Sequence, residues 1–527
     1  MSDMNDAFNR RDLLRMIGAA AGGTALFHAM SALGYAQESD FSGAPELDGV
    51  PRGAKVIILG AGIAGLVTAH ELRKAGYDVS MLEYNDHVGG RSMTLRGGDE
   101  YEELGGFKQH CRFDSGLYIN PGPWRIPYHH RGYLHYAREF DVAMEAFNSL
   151  NGNAYLHNSQ AFGGKPQRYR HIMADFKGHT NELLAKAIDQ KGLDAGVDKE
   201  TKEILLEALK AWGALDSQYR YAPETASDQR GFSQDATATH DGVPSQPIGL
   251  NDILNSGLWE TISLPMSYEY GASMFEPVGG MDMLPKAMGK TLNELVTFKS
   301  KITKIIQDNK GVSVTYIERD SGKEKLATAQ WCVCTLPFSI LSQIEHNLNS
   351  KMSQGIVSVP YASGFKAGVQ FKRRFWEEDD AIYGGITFTD LDIGQMSYPS
   401  TDFLSKGKGV ILASYLFGVN AFRFSSMTPE ARLQRVMESV IKIHPQAKEE
   451  FDNGVSVAWH RVPFTLGCYG LWTPETRAKY FRDVSTMDRR VVLAGEHISY
   501  IPAWQEGAIL SALEAVRQLH AAATTRD

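Results

Sequence analysis

The segment KVIILGAGIAGLVTAHELRKAGYDVSMLE constrains this chain more than any other feature it carries. Lys55 to Leu59 is a short, apolar, β-branched run, and Gly60, Gly62 and Gly65 make a tight turn. The residues from Ile63 to about Ala75 place apolar side chains at helical spacing, and Val79 to Leu82 reads as a second strand ending at Glu83. Glycine is needed in such a βαβ unit because the turn is tight and because backbone N–H groups at the helix N-terminus, here of Ile63 and Ala64, must approach a pyrophosphate closely. An acidic residue about 20 positions further on, here Glu83 with Tyr84 beside it, is placed to accept from ribose hydroxyls. The unit predicts a Rossmann-like α/β domain that binds a dinucleotide, and it does not choose between NAD and FAD.

The first forty residues do not belong to that fold. NRRDLLRMIGAAAGGTALFHAMSALGYA pairs Arg10 and Arg11 with a mildly apolar, Ala/Gly-rich stretch ending in the small residues Gly34 and Ala36. This predicts a twin-arginine signal over residues 1–36 and a bacterial periplasmic or secreted protein. A spanning helix takes about 20 predominantly apolar residues, and this run is shorter, with His28 inside it. No stable membrane insertion is expected. SGAPELDGVP then reads as a polar linker over 37–51. The formal net charge of -8 gives no global basic field for nucleic acid or an anionic surface. Four cysteines, Cys111, Cys332, Cys334 and Cys468, lack metal-ligand spacing, so neither a metal site nor a disulfide framework is expected.

Three later segments narrow the cofactor. HVGGRSMT, with Gly90 and Arg91, follows the second strand; EPVGGMDMLPKAM covers Glu276 to Met288; and VVLAGEHISYIPAWQEGAILSALEAVRQL closes the chain. As an ordered set with the opening unit, they resemble the flavin amine oxidase family from residue 52 to 520. The resemblance implies an FAD-binding domain in three parts (52–125, 271–345, 466–527), a helical domain at 126–270, and a mixed-sheet substrate domain at 346–465. It also implies that Arg91 neutralises pyrophosphate charge, that Ile302 makes a backbone contact to the adenine side, and that Glu496 binds the ribityl chain. Trp504, Gln505 and Ala508 lead into a helix whose N-terminus faces the pyrimidine end of the flavin. Within 126–270, Ile204, Leu205, Ala208 and Trp212 recur at helical spacing and predict one apolar face. The polar run Ala222 to Pro247 reads as a mobile loop.

The substrate is read from PGPWRIP, Pro121 to Pro127. Three prolines and a glycine stiffen this loop around Trp124 and Arg125. The branch of the family acting on L-α-amino acids carries a similar Gly-Pro-x-Arg-x-Pro segment, which implies that Arg125 clamps the substrate carboxylate while Gly122, Pro123 and Trp124 run along the flavin. Tyr398 in QMSYPS resembles a tyrosine donating to the same carboxylate, and Trp504 the aromatic wall beside the amine. Lys366 in SGFKAGVQFKRRFW resembles the lysine that holds a water at the flavin and assists reoxidation by O2. Cys468 in TLGCYGLW matches the place where monoamine oxidases attach flavin through sulfur, whereas the amino acid branch binds FAD without a bond. The expectation is oxidative deamination of an L-amino acid to 2-oxo acid, ammonia and hydrogen peroxide. A monoamine or polyamine oxidase and an amino acid 2-monooxygenase giving an amide stand as alternatives. Side-chain preference and oligomeric state, monomer or homodimer, are left open.

Overall fold

The computed structural model describes residues 38–189, 198–264, 267–271 and 273–525. The leader expected over 1–36 lies outside them. The opening unit forms as its sequence dictates: strand Lys55–Leu59, helix Ile63–Ala75 and strand Asp78–Leu82. The helix stops at Gly76, whose φ of 103° lies in the left-handed region that glycine enters without a Cβ penalty. Both strands sit in a five-stranded parallel sheet, in the order Val296–Thr297, Asp78–Leu82, Lys55–Leu59, Trp331–Cys334 and Val491–Leu493. Helices Ile63–Ala75 and Gln505–Thr524 pack together on one face, burying Leu66, Leu72, Ile509, Leu513 and Val516. A four-stranded sheet built around Ser300–Gln307 covers the other face. Both faces of the parallel sheet are therefore dry, which suits its near-continuous apolar strands.

A second, seven-stranded sheet carries strands Gly409–Phe417, Gly364–Phe371 and Phe451–Ala458 at one end. All eight residues of Gly364–Phe371 are buried, because it pairs antiparallel on both sides. At the opposite end lie Tyr155–His157 and Gln167–Arg168, from the stretch expected to be helical. These short segments have no helical period of their own and gain their backbone partners from Ile386–Thr389 and from each other. Helices dominate only from Tyr169 onward.

Two further expectations change. In helix Lys199–Gly213, Ile204 is 65% and Trp212 67% exposed, and the side that turns inward carries Leu205, Leu206 and Leu209. The expected stripe was one helical position out of register with the face that meets helix Tyr169–Asp189. The run Ala222 to Pro247 holds helix Pro223–Arg230, with proline in its first turn, and the strand pair Phe232–Gln234 and Val243–Pro244. Arg230 anchors the segment by donating to the fully buried Asp175 at 2.9 Å. A buried carboxylate needs such a partner, and a polar composition does not reveal it.

Candidate active site

A long cleft of about 1680 Å³, open solvent at its mouth included, runs from the opening unit to the loop carrying Arg125. One end is made largely of backbone. Gly60 has φ of 102°, and a Cβ there would meet Thr335 Oγ1 at 2.6 Å. A Cβ on Gly65 would stand 2.0 Å from the Gly60 carbonyl oxygen, so Gly65 serves the close approach of helix to turn and is absent from the cleft lining. Gly62, Ile63, Ala64, Glu83, Tyr84, Gly90 and Ile302 all line it. Glu83 accepts from the Ala61 N–H at 2.6 Å and the Asn85 N–H at 2.8 Å, which orients the carboxylate and leaves lone pairs for hydroxyl donors.

Two helix N-termini face this cleft with no side-chain cap: Ile63–Ala75 behind Gly62, and Gln505–Thr524 behind Trp504. Uncapped N-termini carry uncommitted N–H donors and partial positive charge. Arg91 differs from expectation in what holds it. Its Nη1 donates to Glu496 Oε1 at 2.6 Å and to the Cys468 carbonyl at 2.8 Å, so its charge is already balanced. Glu496 also accepts from the N–H groups of Gly470 and Ala503. A dianionic pyrophosphate at one uncapped helix and an electron-rich ring at the other match what these residues offer. The cradle fits a flavin dinucleotide.

The other end is made of side chains whose charges are poorly solvated. Arg125 is buried, with its guanidinium carbon 4.5 Å from the Trp124 ring centroid and 4.4 Å from that of Tyr270. Its Nε and Nη1 have no hydrogen-bond partner among the described residues. Lys366 stands one layer behind the wall. Its Nζ donates to the Gly122 carbonyl at 2.6 Å and that of Asn120 at 3.2 Å, and lies 4.2 Å from the Tyr415 ring centroid. Burial pulls its pKa down to about 7, the Cys468 thiol opposes that shift, and Arg125 adds to it. Glu269 is buried and lines the same cleft as Arg125 and Trp504. Burial pushes its carboxyl up to about 7 against the opposing pull of Arg125 and Trp504. Cys468 also lines the cleft, and burial pushes its thiol up to about 11.

Of the residues expected here, Gly122, Pro123, Trp124, Arg125, Trp504, Gln505 and Ala508 come together on the cleft. Tyr398 does not. Its hydroxyl is committed to Thr387 Oγ1 at 2.8 Å and His444 Nε2 at 2.7 Å within a separate core. Tyr415 stands on the cleft instead, because Lys366 and Tyr415 are directly opposed in the pairing of Gly364–Phe371 with Gly409–Phe417. Glu269 and Tyr270 were also missed. The one signal for them was an acidic residue inside the aromatic run SYEY, a few positions before the glycine-rich segment.

A dinucleotide cradle joined to a chamber that buries Arg125 and Glu269 on its lining fits an oxidoreductase that acts on a small polar substrate. The chain belongs to the family described as flavin containing amine oxidoreductase, whose model matches residues 63–520, and its cofactor is FAD. YobN of Bacillus subtilis (strain 168) is 27% identical over 477 residues, covering 88% of this chain and 94% of its own. The L-amino-acid oxidase of Siganus canaliculatus is 26% identical across 90% of this chain and 87% of its own. That of Bothrops atrox is 29% identical across 89% of both. Among solved structures, a redesigned triple mutant of putrescine oxidase superposes with a TM-score of 0.60 at 16% identity, covering 89% of this chain and 99% of that one. Cyclohexylamine oxidase from Brevibacterium oxydans IH-35A gives 0.58 at 17%, covering 90% and 99%. At such identities the two structures speak for the fold alone.

Proposed function

We propose that the protein is an L-amino acid oxidase. The observation that carries this reading is Arg125, a buried cation on a proline-stiffened loop lining the cleft, whose Nε and Nη1 have no hydrogen-bond partner among the described residues. A guanidinium fixed in this way is a preorganised partner for a carboxylate, and ordering it again on binding costs little entropy. An oxidase of simple amines has nothing to place there. The relatives named as L-amino-acid oxidases support the same substrate class.

In this reading Arg125 holds the α-carboxylate, flanked by Trp124 and Tyr270, and Trp504 walls the amine. Bound FAD supplies the acceptor for hydride from Cα and returns the electrons to O2. Tyr415 takes the carboxylate role first expected of Tyr398, and Lys366 holds a water and favours O2 through its buried charge. The imino acid hydrolyses to 2-oxo acid and ammonia, with hydrogen peroxide as the other product. The leader over 1–36 exports the protein by the twin-arginine route, and the cofactor is held without a bond to Cys468. The test is peroxide release from a panel of L-amino acids, their D-enantiomers and the matching decarboxylated amines. Peroxide from L-amino acids alone supports the proposal. Turnover of the amines alone makes the protein an amine oxidase, and an amide product makes it a monooxygenase.

A further inference from the structure

We infer that Glu269 is the proton acceptor that converts the bound zwitterion of an L-amino acid into its oxidisable neutral amine, and that docking of the carboxylate on Arg125 is what arms it. This rests on the amino acid reading of the same site. An α-amino acid reaches the cleft at neutral pH with its nitrogen protonated, so that nitrogen has no lone pair to support loss of hydride from Cα. Arg125 and Glu269 are both buried and line the same cleft, and Tyr270, next to Glu269 in the chain, packs its ring 4.4 Å from the Arg125 guanidinium carbon, so a cation and a carboxyl stand at the substrate end, complementary to the carboxylate and ammonium of a zwitterion. Trp504 lines the same cleft at the start of helix Gln505–Thr524. In the step, one N–H bond of the ammonium breaks, its electron pair stays on nitrogen, and the proton forms an O–H bond on Glu269.

The arming follows from charge. Arg125 lowers the proton affinity of Glu269, and burial raises it. A substrate carboxylate on Arg125 cancels the lowering influence, so Glu269 becomes the stronger base as the ammonium arrives. The other titratable groups on or around this chamber do not take the part. His129 and His130 are pushed down by burial, and His130 packs edge-on against Trp504 at 4.9 Å. Tyr270 and Tyr415 are raised by burial and are not bases at neutral pH. Lys366 is turned to the carbonyls of Asn120 and Gly122.

Two measurements on the FAD-loaded protein test this. The first is the pH profile of kcat/KM for L-amino acids with different ammonium pKa values. The parent should show an acid limb breaking near pH 7 for every substrate, and Lys366→Met should keep that break. Glu269→Gln should lose it, its limb following each substrate's own ammonium, with a fall near pH 7 of about 10²-fold or more, the usual worth of a general base. A Glu269→Gln profile that breaks where the parent's does overturns the inference. The second needs no turnover: 2-aminoisobutyrate has no Cα–H, and calorimetry in buffers of different ionisation enthalpy counts the protons released when it binds. The parent should release close to one proton at pH 6 and close to none at pH 8.5, because one proton is shared by carboxyl and amine in the complex. Equal release at both pH values overturns the inference even should Glu269→Gln not fold. If 2-aminoisobutyrate does not bind and L-amino acids are not oxidised, the amino acid reading itself fails, which is a separate outcome.

Discussion

The two ends of the cleft are built on opposite principles. At the cofactor end, glycines, two uncapped helix N-termini and the hydrogen-bonded carboxylates Glu83 and Glu496 present groups that are already satisfied or strongly oriented. At the substrate end, Arg125, Lys366 and Glu269 are all buried, and burial draws Lys366 down and Glu269 up, each to about 7. A dinucleotide stays bound, so its site can be a rigid cradle. A substrate must arrive charged, lose a proton and leave, so its site holds charges whose protonation is close to balance.

The largest expected effects break one end and spare the other. Arg125→Ala should lower kcat/KM for L-amino acids by roughly 30-fold to several thousandfold, since losing one member of a desolvated charge pair costs on the order of 2–5 kcal/mol and about 1.4 kcal/mol is tenfold. FAD content, read from the ratio of flavin to protein absorbance, should not change. A fall below about threefold, under 1 kcal/mol by the same arithmetic, would make Arg125 a structural residue. Lys366→Met should slow reoxidation by O2 by about a hundredfold, comparable with loss of one preorganised electrostatic donor, while flavin reduction slows less. Equal slowing of both half-reactions, seen by stopped flow, would remove the lysine from that role.

Gly65→Ala addresses the other end. The new methyl would sit 2.0 Å from a backbone oxygen, and overpacking of that kind costs about 1–3 kcal/mol, so FAD affinity should drop roughly 10- to 100-fold with little change in substrate selectivity. Retention of FAD through gel filtration at parental stoichiometry would refute this.

Lys366 also predicts a pH effect on stability. Its pKa is about 7 when folded and near its ordinary value when unfolded, so between those values the unfolded chain binds more protons and stability rises with pH. The Tm gain from pH 7 to 9 should therefore be larger in the parent than in Lys366→Met. The smallest effects separate the two tyrosines. Tyr398→Phe should cost about 1–3 kcal/mol of stability, by leaving Thr387 or His444 short of a partner, with kinetics unchanged. Tyr415→Phe should lower kcat/KM by about two- to tenfold, the worth of one net hydrogen bond of 0.5–1.5 kcal/mol. The reverse pattern would return Tyr398 to the site.

The opening βαβ unit was legible almost to the residue: its first strand runs Lys55–Leu59 as read, its helix ends at Ala75, and its second strand starts at Asp78, one residue before the reading. Arg125 was legible because three prolines announce a stiff loop. Tyr415 was not, since its strand GVILASYLF, read as alternating, is buried almost throughout and so has no single face marked as functional. Its place opposite Lys366 depends on antiparallel register across more than forty residues of intervening chain. The turn of helix Lys199–Gly213 was misjudged for a related reason. Apolar spacing tells that a helix has a buried side, and the partner it meets decides which side that is.

The sequence by itself determined the dinucleotide unit and the stiff loop that carries Arg125, because each is written in a contiguous stretch whose local backbone rules suffice, and the ordered set of segments resembling the family pointed to the flavin. Only the tertiary structure decided the electrostatics of the chamber. Glu269 lies 144 positions after Arg125 and 235 before Trp504 in the chain, and its carboxyl is unremarkable until the fold strips it of water on the cleft that all three line. Desolvation and the company of another charge are properties of packing, and no local pattern of residues carries them.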